Sequence, residues 1–190
     1  MSAISKPERP MRADARRNRQ LILDAACELY ADAGRQVQMD DIAARAGVGV
    51  GTVYRHFPTK EALMGELVRE RFATFAANTR EALASAGEPF AVFADLLRRN
   101  AEHMAHDAAT RHALSGAGEE VWTYAATERD TLLALAAELV AAAHRAGTLR
   151  ADFTAEDIPM LMCGVCATMG DSGFDWRRHL ELLLDGLRAR

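Results

Sequence analysis

The sequence is poor in the residues that mark several protein classes. Three cysteines in 190 residues are too few for a disulfide framework, and a reducing cytoplasm is the simplest expectation. Only 6% of the residues are aromatic, and turn-forming residues are sparse between Thr59 and Arg150. Because Ala, Leu, Glu and Arg are abundant at the same time, this scarcity favours an all-α fold.

Long apolar runs are also missing. No stretch of 18 apolar residues occurs, so we expect no membrane span, and the charged N-terminus has no apolar segment of the secretory kind. The patterns of common catalytic sites, namely a Gly-rich phosphate loop, HExxH and a nucleophile elbow, do not occur either. We therefore expect a cytoplasmic protein that is not an enzyme and uses no cofactor.

The net charge of −4 is distributed unevenly along the chain. Residues 1–19 carry a net charge of +4, residues 20–70 carry −3, and residues 71–190 carry −5. Exposed charges are screened beyond ~8 Å at physiological salt, so the local charge matters more than the total. The positive N-terminus is therefore compatible with a polyanionic partner.

The stretch Gln38–Lys60 has the pattern of two short helices joined by a tight turn. Apolar residues recur at helical spacing over Asp40–Ala46, and Gly47 follows where a turn needs positive φ. Pro58 marks the end of the second helix, because a residue that precedes proline disfavours the α conformation. The pattern predicts a helix-turn-helix unit, whose second helix enters the major groove of DNA.

This stretch resembles the N-terminal domain of the TetR family of transcriptional repressors, over residues 16–67. The resemblance rests on residues at fixed offsets: Ile42-Ala43, Ala46-Gly47-Val48, Gly51-Thr52, Tyr54, His56-Phe57 and Lys60. Gln38 and Gly49 depart from the Thr or Ser frequent at those family positions, so both helices are expected to be capped weakly. The resemblance implies a three-helix DNA-binding domain over residues 12–58 and a helical effector-binding and dimerisation domain over residues 59–190.

Residues 1–11 contain Pro7 and Pro10 and no apolar period, which predicts a flexible arm. Apolar periodicity then predicts helices at the following places. They run from Asp14 or Arg16 to Ala33 (with Leu21, Ile22, Ala25, Ala26, Leu29 and Tyr30 as the buried stripe), from Lys60 to about Ala84, from Phe90 to about His106, over Ala108–Leu114, in one piece from Val121 to about Ala146, and from a capping box at Thr154 to about Thr168. A last helix carries Trp176, Leu180, Leu183, Leu184 and Leu187.

The residues expected to contact DNA follow from their positions and from the resemblance. The predicted set is Arg16, Arg45, Val50, Gly51, Thr52, Tyr54, Arg55, His56 and Lys60. Val50 lies where base edges are contacted, and its only possible readout is apolar contact with a thymine methyl. The hydroxyl, imidazole and ammonium groups of the set match family positions that commonly touch phosphates. Arg45 and Arg55 are explained equally well as solvated surface charges.

The arginines near the N-terminus have two interpretations that the sequence leaves open. Arg12, Arg16, Arg17 and Arg19 either reach phosphates or the adjacent minor groove, as basic arms do, or form a soluble tail. The first interpretation is favoured, because this segment abuts the first helix of the DNA-binding unit.

The resemblance also implies an effector pocket and a dimer interface in the C-terminal domain. The predicted pocket residues are Phe72, Phe75, Phe93, Leu97, Met104, Trp122 and Met162; the predicted interface is the stripe Trp176, Leu180, Leu183, Leu184 and Leu187, with the apolar run 158–166. Such a dimer would bind a palindromic DNA operator, and a small effector would shift the equilibrium between a form that fits the operator and a form that does not.

Two further clusters have alternative interpretations. Cys163 and Cys166 form a CxxC within an apolar helix, which indicates packing in the core or dimer interface more than redox sensing. His103, His106 and His112 are spaced for a metal site, but no nearby carboxylate or cysteine completes a ligand set, so surface or pocket histidines are favoured.

Three functional hypotheses follow. The leading one is a ligand-responsive repressor that binds DNA. The second is a DNA-binding regulator of the same fold without a small ligand. The third is an enzyme or a pure interaction module that reuses the fold, and it predicts no salt-dependent binding to a palindrome.

Overall fold

A computed structural model describes residues 9–33, 37–115, 118–170 and 173–189 of the chain. In these residues the chain is all-α, as predicted. The helices are α1 (Arg9–Ala33), α2 (Met39–Ala46), α3 (Val50–His56), α4 (Lys60–Ala84), α5 (Pro89–Ala105), α6 (Ala108–Ser115), α7 (Glu119–Tyr124), α8 (Ala126–Arg145), α9 (Asp157–Ala167) and α10 (Trp176–Leu187). The β-type pairing in the described ranges is a single antiparallel bridge between Leu149 and Arg188.

Helices α1, α2 and α3 pack into an N-terminal head around one apolar cluster. Ile22, Ile42 and Val53, one from each helix, are fully buried in it. The predicted buried stripe of α1 is confirmed at Ile22, Ala25, Ala26 and Tyr30. Leu29 is only partly buried and Leu21 is exposed, whereas Leu23, which was not predicted, is buried. The buried face of α1 is rotated slightly from the predicted one, because α2 and α3 cover α1 on one side and α6 covers it on another.

The caps of the head's helices follow mostly from local sequence. Gly47 has φ of 67° and ends α2, and the N–H of Val48 donates to the Ala43 carbonyl at 3.1 Å, as in a Schellman motif. Gln38 and Asp41 form a capping box, in which the Gln38 N–H donates to the Asp41 carboxylate at 3.0 Å. The start of α2 is therefore capped better than the poor capping propensity of Gln predicts, whereas Gly49 gives α3 no side-chain cap.

Helix α4 belongs to both halves of the molecule. Thr59 caps its N-terminus by accepting from the Ala62 N–H at 3.0 Å. Leu63 and Leu67 lie in the apolar cluster of the head, whereas Phe75, two turns further on, lies in the core of the C-terminal domain. The predicted boundary between residues 58 and 59 thus falls at the start of a helix that both parts share.

The C-terminal domain is built around a core to which α4, α5, α8, α9 and α10 contribute. Phe90 and Phe93 of α5 are fully buried there. Their rings pack at 6.1 Å between centroids, and Phe93 meets Phe153 edge-on at 5.8 Å. Gly147, with φ of 68°, ends α8 through the same Schellman arrangement as Gly47. In the described ranges, none of the helices is long and apolar enough to cross a membrane.

Two predicted boundaries are wrong. Helix α1 begins at Arg9, so residues 9–11 are helical instead of part of an arm, while residues 1–8 lie outside the described ranges. The single helix predicted from Val121 to Ala146 is two helices, because Ala125 leaves the helical conformation with φ of −102° and ψ of 7°. Ala125 is fully buried at this break, so packing produces it without a Gly or Pro signal.

The predicted dimer stripe of α10 lies largely in the protomer's own core. Leu180, Leu184 and Leu187 are buried in the chain's own core, and Trp176 and Leu183 pack partly against it. These side chains therefore have little surface left to offer to a partner. The exposed apolar residues nearby are Leu182, on the outward face of α10, and Phe174, in the loop before α10.

Candidate nucleic-acid interface and interior cavity

Helix α3 is held by one face and presents the other to solvent. Val53 is fully buried, while the Val50 and Tyr54 side chains are 43% and 48% exposed and Gly51 is also exposed. Because α3 has fewer than two turns, its orientation depends on Val53 and on its neighbours. The exposed residues form a ridge along one short α-helix, and an α-helix is an element that the major groove admits.

Arg55 folds back along this ridge. Its Nε donates to the Gly51 carbonyl at 3.1 Å, and its Nη2 donates to the Thr52 hydroxyl at 3.0 Å. Both bonds lie at the surface, where water can replace them. The guanidinium is therefore held close to Thr52 at the N-terminal part of α3, and both are placed to face the same ligand.

Lys60 and Arg45 have partners within the protein. The Lys60 ammonium donates to the Val37 carbonyl at 2.8 Å and lies 5.7 Å from the centre of the Tyr30 ring. Lys60 thus fastens the start of α4 to the segment before α2, a role that the sequence did not reveal. Arg45 forms an exposed ion pair with Glu28 at 3.5 Å, which is of the kind that contributes little to stability.

The basic residues of α1 divide into two groups. Arg16 and Arg17 are exposed, whereas Arg19 pairs with Glu66 of α4 at 2.5 Å and lies 5.3 Å from the centre of the Phe57 ring. Burial raises the pKa of Glu66, but hydrogen bonds from Arg69 and Arg19 outweigh it and hold this pKa below the ordinary value of 4.5. Arg19 therefore fastens α1 to α4. It belongs neither to a DNA-binding arm nor to a solvated tail, the two alternatives that the sequence left open. The Arg12 side chain lies outside the described residues.

The C-terminal domain contains a cavity of about 430 Å³, partly open to solvent, between α4 and the helices that follow it. All seven predicted pocket residues line it: Phe72, Phe75, Phe93, Leu97, Met104, Trp122 and Met162. The Phe72 and Trp122 rings stack at 6.3 Å between centroids and join α4 to α7 on its wall. The volume lies in the ~300–1,000 Å³ range that is typical of small-molecule sites. That these residues bind an effector stays a prediction.

Four polar side chains of the cavity wall were not predicted: Thr79, Asn100, Arg111 and Arg129. One of them had a visible signal in the sequence. Asn100 falls at helical spacing from Phe93, Leu97 and Met104, so it interrupts an apolar stripe. A polar residue at a core position is unusual unless it has a partner or a function.

The cysteines of the CxxC line the cavity, whereas the three histidines lie apart from it. Cys163 and Cys166 both line the cavity, and burial raises the pKa of the Cys166 thiol to about 11. A protonated thiol is a poor nucleophile, which argues against redox sensing at Cys166. His112 stacks on Tyr30 at 5.5 Å, while His103 and His106 are exposed. Where the structure describes the chain, it shows no cluster of three or more metal-ligating side chains.

Comparison with known proteins gives consistent results for both halves of the chain. The sequence model "Bacterial regulatory proteins, tetR family" matches residues 22–67. The model "Transcriptional regulator SbtR-like, C-terminal domain" matches residues 88–189, which is more than half of the chain. The first match lies in the head and the start of α4, and the second covers the C-terminal domain from just before α5.

Individual relatives agree with the family models. The crystal structure of a TetR transcription regulatory protein from Mycobacterium vanbaalenii is 38% identical, with a TM-score of 0.63 over 95% of this chain and 100% of that chain. The TetR regulator SCO0520 from Streptomyces coelicolor is 28% identical, with a TM-score of 0.60 over 90% of this chain and 98% of that one.

Among curated proteins, the transcriptional repressor KstR of Mycolicibacterium smegmatis is 38% identical over 76 residues, which is 40% of this chain and 37% of that protein. The match thus spans little more than a third of this relative's length. With a helix-turn-helix head, a shared α4 and matches over both halves, the chain belongs to the TetR family of bacterial transcriptional regulators.

Proposed function

We propose that this protein is a ligand-responsive repressor, which binds a palindromic DNA operator as a dimer and is released by a small effector. The observation that carries the proposal is the double role of α4. Leu63 and Leu67 pack inside the head, and Phe72 and Phe75 of the same helix line the cavity. A ligand that moves the cavity wall therefore acts on the helix that orients the head.

The DNA contacts are assigned to the exposed ridge and its rim. Val50 and Gly51 face the base edges, and Thr52, Tyr54, Arg55 and His56 approach the phosphates on either side. The exposure of Tyr54 favours this role over packing. Arg16 and Arg45 lie at the periphery, and Lys60 contributes its positive charge while it remains bound to Val37. Base identity is then read by few side chains, so DNA shape should contribute to specificity.

The dimer interface is assigned to the outward faces of α9 and α10. Met160 is 72% exposed, Phe174 is 69% exposed and Leu182 is 54% exposed. Cys163 and Gly164 are exposed on the same helix as Met160, one turn later. This apolar surface continues the run 158–166 and replaces the buried leucines of α10 as the contact of a four-helix bundle between two copies.

The dimer assignment predicts that Leu182→Asp converts the protein to a monomer, because two carboxylates would face each other in an apolar contact. Analytical ultracentrifugation at several protein concentrations measures this. Asp185→Ala, at an exposed polar position of α10, is the control and should sediment as the wild type does. A Leu182→Asp protein that is still a dimer would place the interface elsewhere.

A binding titration tests the DNA proposal. Fluorescence anisotropy with duplex DNA from upstream of the protein's own gene is measured at two salt concentrations, since affinity for DNA falls steeply with salt. Tyr54→Ala combined with Arg55→Ala should weaken binding and reduce the salt slope by about 1, for the lost guanidinium–phosphate contact. Arg145→Ala removes an exposed charge from the far end of α8 and should leave both quantities unchanged. Equal affinity of all three proteins would overturn the assignment.

A further inference from the structure

The charges that line the cavity are all of one sign. Its charged residues are Arg111 and Arg129, and neither acidic residues nor lysine or histidine occur among the residues that line it. The rest of the wall is almost entirely apolar. A cation next to an apolar cavity is poorly solvated and gains most from an anion placed beside it. The cavity therefore favours an anionic ligand over a neutral or cationic one.

Arg111 of α6 is the cation without a counter-charge. Its Nη1 donates to the carbonyls of Met104 and Ala105 at the end of α5, the latter at 2.8 Å. No carboxylate pairs with it in the described part of the chain. Its charge also acts on the thiol of Cys166 across the cavity wall, where it partly offsets the effect of burial. The Nε and Nη2 donors remain available, and the bonds of Nη1 hold the guanidinium in place.

Arg129 differs from Arg111 in this respect. Its Nε and Nη2 both donate to one oxygen of Asp130, at 3.0 and 2.9 Å, and its side chain is 41% exposed. Its charge is thus compensated and solvated. Arg111 is left as the cation best placed to bind a ligand.

Asn100 places a second donor on the same wall. Asn100 is 7% exposed. Its Oδ1 accepts from Asn78 Nδ2 at 2.9 Å, and its own Nδ2 has no hydrogen-bond partner among the described residues. Asn100 lies one helical turn before Met104, whose carbonyl holds Arg111. A buried amide donor on α5 and a guanidinium of α6 that is bonded to the last carbonyls of α5 are suited to the two oxygens of a carboxylate.

We propose that the effector is a hydrophobic monocarboxylate, whose carboxylate binds Arg111 and Asn100 while its apolar body packs against Phe72, Phe75 and Trp122. This inference rests on the proposed function, since it names the chemical class of the effector that releases the operator. The apolar wall supplies most of the affinity, and the two polar residues select the acid.

Three ligands of equal chain length test the proposal: decanoate, 1-decanol and decylamine. Binding of each to the full-length protein is measured by calorimetry at neutral pH. Decanoate should bind about tenfold or more tightly than decanol, since hydrogen bonds to charged groups are the strong ones. Decylamine, which is then a cation, should bind weakest. Wild-type protein that binds decanol or decylamine as tightly as decanoate would overturn the proposal.

Variants locate the carboxylate site. Arg111→Gln should weaken decanoate binding by about ten- to a hundredfold and change decanol binding by less than about twofold. Asn100→Leu should act in the same direction with a smaller effect. Arg145→Gln, the same change at an exposed arginine outside the cavity, should change neither. If Arg111→Gln does not fold, Arg111→Lys, which keeps the charge and loses the planar fork, should still bind decanoate more weakly than wild type. Equal decanoate affinity in Arg111→Gln or Arg111→Lys and in Arg145→Gln would refute the site.

Operator release separates this proposal from the one on which it rests. Each ligand is added to the protein–DNA complex, and dissociation is followed by anisotropy. If decanol releases the DNA and decanoate does not, the protein is ligand-responsive and the carboxylate assignment is wrong. If decanoate binds selectively through Arg111 and leaves the DNA bound, the site stands and effector control of the operator fails.

Discussion

Substitution of Gly65 by Ala tests whether the contact between α4 and α7 is as close as the structure indicates. A Cβ on Gly65 would lie 2.5 Å from Cβ of Tyr124, 2.9 Å from Cγ and 3.0 Å from Cδ2. Carbon atoms in contact prefer separations of about 3.5–4.0 Å, so the two helices would have to separate by roughly 1 Å. Because the nearest atom is the Tyr124 Cβ and not the end of its side chain, a rotamer change cannot relieve the clash.

The magnitude follows from two opposing effects. Overpacking of this kind costs about 1–3 kcal/mol, whereas replacing a helical Gly by Ala contributes about 0.5–1 kcal/mol to stability. Gly51→Ala is the matched control, since Gly51 also lies in a helix but has no atom within 4 Å of its added Cβ. The difference between the two variants isolates the steric cost, so Gly65→Ala should be less stable than Gly51→Ala by about 1–3 kcal/mol.

Urea unfolding at one fixed protein concentration measures the difference, because the stability of an oligomer depends on concentration. In a thermal scan, each kcal/mol corresponds to roughly 2–4 °C for a domain of this size. Tyr124→Ala should rescue Gly65→Ala only in part, since it keeps the Cβ that clashes. If Gly65→Ala stabilises the protein as much as Gly51→Ala does, the close approach of α4 and α7 is refuted. The same variant should weaken ligand binding, because α7 carries Trp122 to the cavity.

Three further predictions concern stability. The folded-state pKa of Glu66 lies below its ordinary value of 4.5, so the contribution of Glu66 to stability is present above about pH 4.5 and is lost as the pH falls through the folded pKa. Glu66→Gln should therefore lower the free energy of unfolding at pH 7. It should also remove this part of the acid dependence of stability, as measured by urea titrations at several pH values. Gly147→Ala should destabilise by about 1 kcal/mol because φ is 68°, and Gly147→Asn by less; equal urea midpoints for both would contradict this. Leu184→Ala should cost about 2–5 kcal/mol as a buried truncation, whereas Leu182→Ala should leave the protomer's own core intact; similar unfolding of the two would contradict the assignment of the α10 faces.

Much of the fold could be predicted because it depends on local sequence. Gly47 and Gly147 each end a helix in the left-handed conformation that the sequence pattern predicts. The apolar stripes of α4 and α5 identify the inner faces of these helices, and helices that share one interior bring those faces together. This is the physical reason why seven residues chosen by periodicity and resemblance line one cavity.

Other features depend on contacts between segments far apart in sequence. The break at Ala125 has no local signal and coincides with the close approach of Gly65 and Tyr124. Arg19 and Lys60 have chemistry that suits DNA phosphates, but Arg19 pairs with Glu66 of α4, and Lys60 donates to the Val37 carbonyl in the segment before α2. A long basic side chain has many possible partners, and only the packed structure decides between them.

By itself, the sequence determined the helix-turn-helix head, the helical C-terminal domain and the family, because these depend on periodicity, caps and a local motif. Only the tertiary structure decided which face of α10 is inward, since leucines at 180, 182, 183, 184 and 187 surround much of that helix. It alone placed Asn100 of α5 and Arg111 of α6 on one wall of the cavity. Their proximity depends on how α5 packs against α6, and the spacing of apolar residues along the sequence does not contain this information.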